Sequence, residues 1–75
     1  MKIDKKDLGR WLLDRRQSAG LTQQESADEL GFSTCQSISN WERGVSSPSP
    51  MRLKELVRYY EVPVDEFRAD MHQFF

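Results

Sequence analysis

Between Ser33 and Asn40 the chain reads STCQSISN, and Trp41-Glu42-Arg43-Gly44 follows. On a helix, Gln36, Asn40 and Arg43 recur at i, i+4 and i+7 and share one face. At about 100° per residue, Thr34, Ile38, Trp41 and Val45 fall on the opposite side. Ser37 and Ser39 flank the polar row, and Glu42 lies at the edge of the apolar side. The row offers hydrogen bonding without negative charge. Amides of Gln and Asn pair bidentately with adenine, and Ser or Thr hydroxyls serve several base edges. A guanidinium at the end of the row suits a phosphate. The stretch is free of carboxylates in a chain that is 31% charged, and carboxylates would repel a phosphate backbone. A solvated face of an ordinary amphipathic helix would carry the same residues, so the row alone leaves both readings open.

Other chemistry is poorly supported. Cys35, near the start of this helix, invites a redox reading, because a helix N-terminus lowers a thiol pKa; a small polar turn filler is the preferred reading. His72 has no sequence partner for a triad and reads as a surface residue. One cysteine and one histidine are too few for a structural zinc site, and no cofactor is expected. The acids show no paired catalytic pattern, and a small helical chain offers little pocket, so an enzyme is not expected. Lys6 and Arg10 read as solvated charge.

Five short helices must position the polar row. The first starts after Asp4, with Leu8, Trp11, Leu12 and Arg15 on one stripe, and stops at Gly20. The second opens at TQQE, where Thr22 and Glu25 have capping-box spacing, and stops at Gly31. The third lies within about 34–43 and is closed by Gly44. VSSPSP is a loop. Ser49 caps the fourth helix and Pro50 takes its first position, where no amide hydrogen is needed. Leu53, Leu56, Val57 and Tyr60 form its buried stripe. The fifth, about 64–74, carries Val64, Phe67, Met71 and Phe74 on one side. No strand-like alternation or repeat interrupts this order, so the expected class is all-α.

Seventy-five residues make a single domain over 1–75. A net charge of −1 with dispersed cations weakens strong non-specific polyanion binding but permits a local basic surface. No apolar run approaches the roughly 20 residues of a membrane span, the N-terminus lacks an apolar leader segment, and a lone cysteine fits a reducing compartment. These readings point to a cytoplasmic protein without a membrane partner.

GLTQQESADELG, a short turn, then ISNWERG resembles the helix-turn-helix of the Cro and phage-repressor family of bacterial DNA-binding proteins. The resemblance runs from Leu8 to Phe67. It implies a five-helix lambda-repressor-like domain with a helix-turn-helix at about 22–43. It also implies a bacterial or phage-type transcription regulator that binds double-stranded DNA sequence-specifically, most simply a repressor acting by occupying a palindromic operator. Thr34, Cys35, Gln36, Ser37 and Asn40 then fall at base-reading positions, and Thr22, Gln23, Ser39, Arg43 and Ser47 at phosphate-contacting ones. Ala27 matches the small residue at the helix crossing. Arg16 and Glu42 match a structural ion pair that ties helix one to the end of helix three.

Three departures accompany the resemblance. The turn between Gly31 and Ile38 is one residue longer than the common form, which leaves open whether Thr34, Cys35 or Gln36 enters a groove first. Ser26 stands where leucine is usual and Arg15 where an apolar residue is common, so Arg15 is expected to cover the space beside Ser26. The VSSPSP loop lacks cations; Ser46, Ser47 and Arg52 are weaker substitutes, which implies modest affinity and a shallow salt dependence. At the C-terminus, Phe67 and Met71 are expected to finish the core; Met71, Phe74 and Phe75 are also candidates for a homodimer contact, with core capping the alternative for Phe74 and Phe75. Two-fold symmetry would let a short helix read two half-sites. A different function for the same fold is a protein-interaction module, antitoxin-like or binding a partner regulator, with DNA binding secondary.

Overall fold

The computed structural model describes residues 4–72. It contains α1 (Lys5–Ser18), α2 (Gln23–Glu29), α3 (Gln36–Glu42), α4 (Pro50–Tyr59) and α5 (Val64–His72). No strand occurs among the described residues, and the fold is all-α. The starts of α1, α2 and α4 have a local cause. The Asp4 carboxylate accepts from the Lys6 amide at 2.7 Å. Thr22 Oγ1 accepts from the Glu25 amide at 3.0 Å while Glu25 Oε1 accepts from the Thr22 amide at 2.9 Å, a reciprocal capping box. Ser49 caps α4, with Pro50 following. The ends repeat one device: Gly20, Gly31 and Gly44 adopt positive φ, and the next amide returns to a carbonyl five residues back, as in Phe32 to Ala27 at 2.9 Å. At the end of α4 the same position is held by Glu61, with φ 54°.

Leu12, Ile38 and Leu56 are the largest fully buried apolar side chains, surrounded by Leu8, Trp11, Ala27, Leu30, Trp41, Tyr60, Val62 and Met71. α1 packs on α3, and α2 packs on both α3 and α4. The α1–α3 contact depends on Gly9. A Cβ there would stand 2.8 Å from the Glu42 carbonyl oxygen. α5 docks on α1 through an edge-to-face contact of Phe67 with Trp11, centroids 5.7 Å apart. Trp11 Nε1 and Arg15 Nη2 donate to the same Asp70 oxygen at 2.7 and 2.8 Å. Hydrogen bonding from Trp11, then from Arg15, holds the Asp70 carboxyl below its ordinary pKa.

α3 lies inside the expected 34–43 window, and ahead of it Thr34 Oγ1 accepts from the Gln36 amide at 3.4 Å in a local turn. Other sequence expectations change. Val45 is 59% exposed, because the left-handed residue Gly44 ends the helical period before it. Val64 is exposed as well; the docking side of α5 is set from Phe67 onward, by its contact with Trp11. Met71 belongs to the core at 5% exposure, which removes it from the candidate dimer contacts. Phe74 and Phe75 lie outside the described residues. Ser26 and Arg15 do not meet. Ser26 is wholly buried, and its Oγ lies 2.8 Å from the Tyr60 hydroxyl. Arg15 turns to Asp70 and Glu66, because a guanidinium must keep partners or water. Burial raises the Tyr60 pKa, opposed by the hydrogen bond to Ser26.

Candidate nucleic-acid interface

Ile38 and Trp41 anchor α3 in the core at 1% and 8% exposure. A seven-residue helix has little intrinsic stability, so this anchoring, not propensity, holds it. The edge-to-face contact of Trp41 with Phe32, centroids 6.0 Å apart, ties it to the turn that precedes it.

Glu42 is the acid nearest the polar row, and the fold turns it inward. Its side chain is 4% exposed and that of Arg16 11%. Arg16 Nε donates to Glu42 Oε2 at 2.7 Å and Nη2 donates to Oε1 at 3.1 Å. Arg16 Nη1 also donates to the Leu21 carbonyl at 2.8 Å. Hydrogen bonding to Glu42 raises the pKa of Arg16, against the opposing effect of burial. Gln23 Nε2 adds a third donor to Glu42 at 2.9 Å, so the first residue of α2 is tied to the last residue of α3. The ion pair links α1 and α3 as the resemblance implied. The Gln23 contact had no counterpart in the sequence reading; helices separated by a turn reveal such a contact only once they are packed.

The outward face of α3 carries a continuous polar ribbon. Arg43 Nη2 donates to Asn40 Oδ1 at 2.7 Å, Gln36 Nε2 donates to the same oxygen at 3.0 Å, and Arg43 Nε donates to Ser39 Oγ at 3.2 Å. Gln36 and Arg43 are exposed, and Ser37, Ser39 and Asn40 half-buried. Thr34 is exposed but precedes the helix. Cys35 is half-buried and packed against the core, which withdraws it from the row of outward side chains. Gln36 is therefore the first exposed side chain of α3 itself. Thr22 is exposed, though its hydroxyl serves the capping box, and Ser47 is exposed in the loop.

Two basic residues take unexpected places. Arg52 is the first cation after the loop in sequence. Its Nη1 donates to the Leu30 carbonyl and to Glu55, both at 3.1 Å, and its guanidinium lies 4.8 Å from the Phe32 ring centroid. Its charge thus neutralises the end of α2. Lys6, read as simple solvated charge, runs beside Gly44; a Cβ on that glycine would come within 2.8 Å of Lys6 Cγ. This packs the first turn of α1 against the glycine that ends α3. A contact between residues 6 and 44 has no signature in local periodicity.

The family model described as helix-turn-helix matches residues 12–67. The HTH-type transcriptional regulator ImmR of Bacillus subtilis (strain 168) is 38% identical over 58 residues, covering 77% of this chain and 45% of the relative. The chain thus spans less than half the length of that relative. No helix among the described residues is long and apolar enough to cross a membrane.

Proposed function

The chain belongs to the helix-turn-helix family, and from that premise we propose that it is a sequence-specific double-stranded DNA-binding unit of a transcription regulator. The observation that carries this reading is the outward face of α3. It displays amides, hydroxyls and one guanidinium, while its only acid, Glu42, is turned inward and paired with Arg16. α3 lies in the major groove, where Gln36, Ser37 and Asn40 face base edges. Thr34 sits at the entry of the row. Arg43, Ser39, Ser47 and the start of α2 at Thr22 and Gln23 lie along the backbone phosphates. Gln23 divides its role, because its side-chain nitrogen already donates to Glu42.

Regulation is by occupancy. The bound protein excludes or recruits polymerase, and repression is the simpler outcome. A homodimer on a palindromic site would supply the specificity that one short helix lacks. The alternative is that the same face meets a protein partner, a reading favoured by one observation: Arg52, the cation just after the loop, is engaged by the Leu30 carbonyl, Glu55 and the Phe32 ring.

Selection from a random duplex pool, followed by salt titration, tests the proposal. A two-fold motif that disappears in Gln36→Ala supports it. The slope of log K against log salt should be shallow, on the order of −2 to −3 per protomer for two or three neutralised phosphates. No enriched sequence at low salt refutes the DNA reading and favours the protein partner.

A further inference from the structure

The ribbon on α3 has a fixed polarity. A guanidinium only donates hydrogen bonds, so the Asn40 atom facing Arg43 at 2.7 Å must be the amide oxygen. That oxygen also receives Gln36 at 3.0 Å, and the Gln36 atom facing it must therefore be the amide nitrogen. The assignment of both amides follows from the chemistry of Arg43. Ser39 accepts from Nε at 3.2 Å and holds the guanidinium along the helix.

This polarity dictates what the two amides can display. With its oxygen shared by two donors, Asn40 presents its NH2 group, a donor pair that matches guanine O6 and N7 or thymine O4. It no longer has the donor-plus-acceptor pattern that adenine requires. Gln36 spends one N–H on Asn40 and keeps its oxygen and its other N–H, the combination that pairs with adenine N6 and N7. We propose that Arg43 is a specificity-setting positioning residue: through Asn40 it orients both amides, so that Gln36 selects adenine and Asn40 selects guanine or thymine. This rests on the DNA-binding reading of the same face. It differs from a plain phosphate contact, which would weaken binding to all sequences alike.

The experiment repeats the duplex selection with the intact chain, Asn40→Ala and Arg43→Met, with helix content checked for each by circular dichroism. Arg43 is exposed, and its replacement should leave the fold intact. Asn40→Ala identifies the base position that Asn40 reads. The expected result is that Arg43→Met admits adenine at that position, with the preference for guanine or thymine over adenine falling about tenfold, within the discrimination of a good base contact. A salt slope reduced by about 1 with an unchanged motif makes Arg43 a phosphate contact only and overturns the proposal. So does a motif unaltered by Asn40→Ala. If the intact chain enriches nothing at low salt, the DNA reading itself fails, and this proposal fails with it.

Discussion

Replacing Glu42 by alanine tests the physical basis of the site most directly. The substitution removes a carboxylate that is 4% exposed and leaves Arg16, 11% exposed, with the Leu21 carbonyl as its remaining partner. It also frees the Gln23 amide. Breaking a buried pair from one side costs about 3–5 kcal/mol, because the surviving charge stays desolvated. A chain of 75 residues has a total stability of roughly 4–11 kcal/mol at about 0.05–0.15 kcal/mol per residue. The variant should therefore lose about a quarter or more of its stability. Urea unfolding followed by far-UV circular dichroism measures this. The companion double variant, Arg16→Met with Glu42→Leu, should recover most of the loss, since a well-packed apolar pair replaces a buried ion pair at little cost. A loss of about 1 kcal/mol or less in Glu42→Ala, the value of an exposed pair, would refute the reasoning. So would additive effects of Arg16→Met and Glu42→Leu, because residues in contact must couple.

Other expectations follow from the packing. Gly9→Ala should destabilise by about 1–3 kcal/mol through overpacking against the α3 carbonyls, despite the better helix propensity of alanine; a stabilised variant in the same urea assay would show that α1 and α3 can separate freely. Asp70 titrates lower in the fold than its unfolded value of about 3.9. Its stabilising contribution is therefore complete above about pH 4 and is lost as pH falls through the folded value. Asp70→Asn should be less stable than the parent at neutral pH and should converge with it in acid, as read by thermal melts across pH. Glu61→Gly relieves a left-handed residue worth about 1–2 kcal/mol, against about 0.4–1 kcal/mol of added unfolded-chain entropy. A stability gain on the order of 0.5 kcal/mol, read from urea unfolding, is expected, and a loss would show that φ 54° at Glu61 is not strained.

Local signals were legible in the chain before any coordinates. The Asp4, Thr22 and Ser49 caps, the Gly20, Gly31 and Gly44 stops and the five-helix order depend on residues within a few positions of each other, so periodicity and turn chemistry encode them directly. The apolar anchor of α3 and the neutral row on its other side are legible for the same reason, since both repeat at the helical period. The motif pair GLTQ and ISNWERG carried the family and, with it, the Arg16–Glu42 pair.

Tertiary structure decided which chemically similar residues serve the surface and which serve the core. Arg15, Arg16, Arg43 and Arg52 are alike in sequence. Packing directs Arg15 to Asp70, Arg16 to Glu42 and Arg52 to the Leu30 carbonyl, and leaves Arg43 on the outward face. Ser26 became a partner of Tyr60, 34 residues away, not of Arg15. Of its two expected roles Met71 took the core one, and Cys35 leaned inward. The sequence by itself determined the helices and the neutrality of one face, because those properties are local and periodic. Only the packed fold determined the partner of each charge, because a buried guanidinium or carboxylate takes whatever group the crossing helices bring within hydrogen-bonding distance, and linear spacing does not record that distance.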